Sequence, residues 1–97
     1  MEDKIVYEWD EAKRQKLIAE RGLDIAVFGP DVVEAADGWV EPDERKNYGE
    51  ARAKAYAVVD DLRLCVCYTV RDENIRLITI YKVKEKIWRK HYENKNN

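Results

Sequence analysis

Four arginines, Arg52, Arg63, Arg71 and Arg76, punctuate a stretch of alternating apolar and polar residues in the second half of the chain. A guanidinium carries parallel N–H donors that can grip a phosphate at two points and stabilise the charge that builds on it during displacement. Arginines gathered beside tyrosines on a small sheet are therefore what a metal-free ribonuclease needs to hold a phosphorane-like transition state. Arginine at strand ends is also ordinary solubilising charge, and spacing alone leaves both readings open. Other chemistries lack their residues: there is no nucleotide-binding glycine loop, zinc-ligand spacing or serine elbow, and no cofactor is expected. His91, the only histidine, stands among lysines near the end of the chain, where a surface role is the first expectation and a catalytic one the second. Cys65 and Cys67 are two apart on a strand, which places them roughly 6.5 to 7 Å from each other, poorly spaced for a mutual disulfide. They read as small buried apolar residues rather than a metal pair.

The arginines belong to a β-meander. Arg52 to Val59, Arg63 to Arg71 and Ile75 to Lys82 are short runs rich in β-branched and aromatic residues, separated by Asp60-Asp61 and Asp72-Glu73-Asn74, the pattern of three antiparallel strands. On the first, Ala53, Ala55, Ala57 and Val59 share a face flat enough for a helix to approach, and Arg52, Lys54, Tyr56 and Val58 share the other. Upstream, Ile5 to Trp9 is a β-prone run, and Asp10 is suited to cap a helix from about Glu11 to Arg21 that Gly22 closes. Gly29-Pro30 interrupts the next apolar pattern, so a short turn is expected there, then a new helix beginning near Pro30 and ended by Asp37-Gly38. Trp39-Val40 reads as an extended pair, followed by a polar loop between Pro42 and Gly49. Beyond Lys82, Val83, Ile87, Trp88 and Tyr92 recur at helical period, opposite a basic side of Lys86, Arg89 and Lys90. That basic side is either solvated surface or a contact for phosphate or a partner. Asn94 to Asn97 are expected to fray.

Composition sets the outer limits. The chain has 97 residues, 45% hydrophobic and 39% charged, which predicts a single globular domain over residues 1–97. No apolar run suits a bilayer and the N-terminus does not resemble a signal peptide, so a cytoplasmic protein without membrane contact is expected. The net charge of −2 argues against a plain nucleic-acid-binding domain held only by the phosphate backbone.

Taken together, Tyr7-Glu8-Trp9-Asp10 with Lys13, Glu20-Arg21-Gly22-Leu23-Asp24, Tyr48-Gly49-Glu50 with Arg52, Tyr68-Thr69-Val70-Arg71, Ile75-Arg76-Leu77-Ile78-Thr79, Lys82 and Tyr92 resemble the BrnT toxins of bacterial type II toxin-antitoxin systems. The resemblance runs from about Val6 to Glu93. It implies a small α+β domain of RelE-like fold, an antiparallel meander with N-terminal helices and a C-terminal helix. It implies an mRNA interferase-like endoribonuclease that inhibits translation and is neutralised by a BrnA-type antitoxin. That antitoxin would wrap the toxin in a hetero-oligomer and supply the DNA-binding domain, so DNA is met only through the partner. On this basis Arg76 and Arg71 are expected to hold the scissile phosphate, with Arg52 or Lys82 assisting. Glu50 and Tyr81 are the candidate general bases, Tyr81 because its neighbour Lys82 could favour the phenolate. Lys54, Lys84 and Arg89 are further RNA-contacting candidates. The chain departs from the usual pattern at Leu17, where a helix asparagine is common, at Glu20-Arg21-Gly22, where Lys-His-Gly is common, and at Tyr81, where an arginine is expected. A catalytically weak binding module of the same fold, acting through its antitoxin, is the alternative.

Overall fold

The computed structural model of the chain describes residues 4–44 and 49–95. Strand β1 (Tyr7–Glu8) leads into helices α1 (Glu11–Arg21) and α2 (Ile25–Val33); strands β2 (Trp39–Pro42), β3 (Ala53–Val59), β4 (Leu62–Arg71) and β5 (Asn74–Lys82) follow, then helix α3 (Glu85–Asn94). The strands form one mixed sheet in the order β1-β5-β4-β3-β2, with β1 parallel to β5 and every other pairing antiparallel. The α+β class and the meander of β3, β4 and β5 agree with expectation. Both meander turns are two-residue loops with positive φ at Asp60, Asp61, Asp72 and Glu73, the backbone that matches the twist of a tight hairpin and that aspartate tolerates better than most residues.

The local signals around α1 act as read. Asp10 accepts a hydrogen bond from the Lys13 backbone N–H at 3.0 Å, and Gly22, at φ +67°, turns the chain out while its N–H bonds to the Ile18 carbonyl. The second helix differs from expectation. Instead of starting near Pro30, α2 starts after an Asp24 cap and runs through Gly29-Pro30 to Val33, well short of Asp37. Pro30 removes one intrahelical donor, but burial of Ile25, Gly29 and Val32 on the sheet holds the segment helical. Gly29 is part of the reason, because a Cβ there would lie 2.8 Å from Leu77 Cδ1. Asp24 also takes two hydrogen bonds from Arg14, at 2.8 and 2.9 Å, which tie α2 to α1 and hold its carboxyl below the usual range.

The two faces of the sheet are covered differently. On one, Leu17, Leu23, Ile25 and Val32 of the helical segment pack on Ala55, Ala57, Leu64, Val66, Leu77 and Ile80, so the alanine side of β3 does admit helices. On the other, Tyr56, Cys65 and Val83 form a smaller core with Trp39, Tyr81 and Trp88. Cys65 and Cys67 are buried thiols not joined in a disulfide. Helix α3 touches this second core along a narrower line than its periodicity suggests: Trp88 and His91 face inward while Ile87 is 46% exposed. Asn94 still belongs to α3. The polar loop read between Pro42 and Gly49 begins after a longer β2 than expected, and residues 45–48, including Tyr48, lie outside the described residues, as do residues 96–97.

One irregularity decides how β5 presents its side chains. Cys67 pairs with Thr79 but Tyr68 pairs with Leu77, which leaves Ile78 as an extra residue, a β-bulge. Beyond the bulge the alternation of β5 is inverted. Arg76, Thr79 and Tyr81 point to the face of the second core, and Lys82, opposite Leu64, lies with the helix-covered face.

Candidate functional site

The cross-strand register arranges the second face in rows. Trp39, Tyr56, Cys65 and Tyr81 form one; Glu41, Lys54, Cys67 and Thr79 the next; Thr69 and Arg76 the third, to which the same register adds Arg52 opposite Thr69. Rows are separated by about 6.6 Å, two residues along a strand. Helix α3 stands on the first row, and its last turns reach the edge of the second. The third row carries no helix and meets Glu50 and Arg71 at the end of the sheet.

There the arginines converge. Arg71 Nη2 donates to Glu50 Oε1 at 2.7 Å, and Arg52 Nε lies 3.8 Å from Glu50 Oε2. The hydrogen bond from Arg71, reinforced by the charges of Arg71, Arg52 and Arg76, holds the Glu50 carboxyl below its usual range. Buried Thr69 fixes the adjoining backbone by donating its hydroxyl to the Ala51 carbonyl at 2.6 Å. Glu50, Arg52, Tyr68, Thr69 and Arg71 line a depression of about 380 Å³. Glu50 is not the only carboxylate here: Glu8 is the cross-strand partner of Arg76 and is held by Asn74 Nδ2 at 3.2 Å, and buried Asp43 donates its backbone N–H to the Arg52 carbonyl, so a phosphodiester would grip these guanidiniums in competition with carboxylates.

Four sequence-derived candidates thus come together: Glu50, Arg52, Arg71 and Arg76. Lys54 is one row away on the same face. Tyr81 is also on that face, but in the first row, packed with Tyr56, Cys65 and Trp88, about 13 Å along the sheet from Arg76 by row spacing. Lys82 is on the opposite face because of the bulge at Ile78. Lys84 flanks the start of α3, and Arg89 on its exposed side pairs with Glu85 at 2.8 Å. The arginine cluster and these latter cations are therefore separate surfaces.

The chain also fixes side chains to which the sequence assigned no partner. His91 Nδ1 lies 2.9 Å from Glu41 Oε2, and the His91 ring stacks on Tyr56 with centroids 5.0 Å apart and planes at 27°. Glu41 is itself fixed by Trp39 Nε1, which donates to the same oxygen at 3.2 Å. Fifty residues separate His91 from Glu41, and the pairing of β2 with β3 together with the packing of α3 on Trp39 and Tyr56 joins them. Arg21 reaches the free edge of β5, where it donates to the Ile80 carbonyl at 2.8 Å and to Thr79 Oγ1 at 3.3 Å. Among the described residues no three His, Cys, Asp or Glu side chains converge as a metal site.

Comparison with known proteins agrees with the resemblance. The family described as the ribonuclease toxin BrnT of type II toxin-antitoxin systems matches residues 9–86. No curated protein and no solved structure matches the chain.

Proposed function

Because the chain belongs to the BrnT family of ribonuclease toxins of type II toxin-antitoxin systems, we propose that it is an endoribonuclease whose phosphate site is the Arg52, Arg71 and Arg76 cluster. The convergence of those guanidiniums around Glu50 is the observation that carries this reading. The RNA 2′-hydroxyl attacks the adjacent phosphorus without a metal ion, Arg76 and Arg71 hold the scissile phosphate, and Arg52 assists. Glu50 keeps the arginines in place until phosphate enters, and Lys54 extends the cationic track one row inward. Cleavage inhibits translation in the cytoplasm, by a RelE-like toxin domain made of the 97 residues. A BrnA-type antitoxin neutralises it.

Removal of one charge-stabilising contact is worth about 1 to 4 kcal/mol, so Arg76→Ala should slow RNA cleavage by the purified protein about ten- to a thousandfold. Cleavage at the wild-type rate by a folded Arg76→Ala protein would refute the assignment.

Glu50 supports a second reading as well. A carboxylate already satisfies these arginines, so acidic side chains of an antitoxin fit the same place, and protein and phosphate then compete for one surface. In the alternative, a catalytically weak module does nothing but bind that partner. Growth separates the two: arrest when the chain is expressed alone supports the nuclease, and unimpaired growth with tight antitoxin binding supports the module.

A further inference from the structure

We propose that Glu8 is the general base that takes the proton from the attacking 2′-hydroxyl. This rests on the reading that the chain cleaves RNA at the arginine cluster. Guanidiniums can hold a phosphate and stabilise its charge, but the displacement also needs a proton acceptor beside it. Glu50 accepts from Arg71 at 2.7 Å and lies 3.8 Å from Arg52, so its oxygens are engaged by the cations it orders. Tyr81 is packed in the second core, two rows away.

Glu8 stands where the step needs it. Strand β1 lies parallel to β5 with Glu8 paired to Arg76, and the Ile75 N–H, bonded to the Val6 carbonyl at 2.9 Å, fixes that register. The two side chains therefore leave adjacent strands on the same face, about 4.8 Å apart at the backbone. In a near-attack geometry the 2′-oxygen is about 3 to 3.5 Å from the phosphorus. That is less than one strand spacing, so a phosphate gripped by Arg76 leaves its 2′-hydroxyl within reach of Glu8. Among the described residues the Arg76 guanidinium has no hydrogen-bond or ion-pair partner, which leaves it open to that phosphate. Asn74, two residues before Arg76 and on the same face, donates its amide to Glu8 Oε2 at 3.2 Å. The carboxylate is thus oriented by a neutral group rather than by a guanidinium, and Oε1 keeps its lone pairs for a hydroxyl proton.

In the step, Glu8 Oε1 takes the 2′-hydroxyl proton as the O2′–P bond forms. The P–O5′ bond breaks, and the 5′-oxygen leaves with the bonding pair and takes a proton from water. The products are a 2′,3′-cyclic phosphate and a 5′-hydroxyl, and the Glu8 carboxylic acid returns its proton to the hydroxide left in solvent. The competing explanation is electrostatic: Glu8 does no more than balance the charge of Arg76.

Glu8→Gln separates the two, since its amide oxygen can still accept from Asn74 but can neither take the proton nor carry charge. In the full chain with a short RNA oligonucleotide as substrate, Glu8→Gln should lower kcat about a hundred- to ten-thousandfold with KM within a fewfold of wild type. Were Glu8 only a counter-charge, its removal would tighten phosphate binding, so that KM falls and kcat holds. A folded Glu8→Gln protein with that pattern, with wild-type kcat, or with a loss confined to KM would overturn the proposal. Glu8→Asp, which keeps a carboxylate on a shorter stem, should retain more of kcat than Glu8→Gln, and the reverse order would overturn it too. If Arg76→Ala disables cleavage while Glu8→Gln does not, only the Glu8 assignment fails. If neither disables it, or the wild-type protein cuts no RNA, the arginine-site reading fails with it.

Discussion

The two halves of the second sheet face are built on the same strands, yet one is a core and the other a surface. In the first row Trp39 stacks on Tyr56 with centroids 5.0 Å apart, and Trp88 meets Trp39 edge-on at 4.9 Å. Burial pushes the Tyr56 phenol up, since ionisation there would strand a charge away from water. Two rows along, the face carries guanidiniums interleaved with carboxylates, and the Glu50 carboxyl is pushed down. Aromatic side chains recruit a helix whose own sequence is mostly charged, whereas a row of charged side chains offers α3 nothing to bury. The contrast shows how a small protein keeps a binding surface on a sheet that would otherwise be covered entirely.

Substitutions can test that contrast. Tyr56→Ala should have the largest effect on stability, about 3 to 5 kcal/mol by analogy with other large aromatic truncations. It should detach α3, which denaturant unfolding and loss of the tryptophan near-ultraviolet signal would report. A loss below about 1 kcal/mol would mean that α3 is held elsewhere. Gly38→Ala comes next, because its Cβ would press on the Tyr56 carbonyl oxygen and lie 3.2 Å from Ala57 Cβ. An overpacked contact of this kind costs about 1 to 3 kcal/mol, read as a shift in denaturant midpoint. In the charged half Arg76→Ala should change stability by no more than about 0.5 kcal/mol while it removes activity. Glu50→Gln should have the smallest effect, and its size depends on pH. The folded-state carboxyl lies below its ordinary value of 4.5, so any stability that Glu50 adds is present above that value. It is lost as the pH falls through the lowered folded value. Wild type and Glu50→Gln should then converge in acid, and a difference that persists there would mean that the ion pairs with Arg71 and Arg52 are not its source.

Features governed by neighbouring residues were legible in the sequence. The Asp10 cap, the Gly22 stop, the two aspartate turns and the alternation of β3 each depend on a few adjacent positions, and the structure follows them. Pro30 misleads for the complementary reason: its cost is local, but the burial of Ile25, Gly29 and Val32 that outweighs it comes from the sheet. Likewise, the basic side of α3 was visible, while His91 looked like part of it because Glu41 and Tyr56 are distant in sequence.

By itself, then, the sequence determined the meander, its turns, the family and the set of arginines, because these reside in residue type and short spacing. Only the tertiary structure decided which of the candidates meet. Strict alternation gives Arg76 and Lys82, six residues apart, the same face; the extra residue at Ile78 reverses that and sends Lys82 to the other side of the sheet. Strand pairing brings Glu50 to Arg71, and the packing of α3 on the sheet brings His91 to Glu41, contacts that span 21 and 50 residues. A bulge and a register are properties of two strands at once, and neither strand specifies them alone.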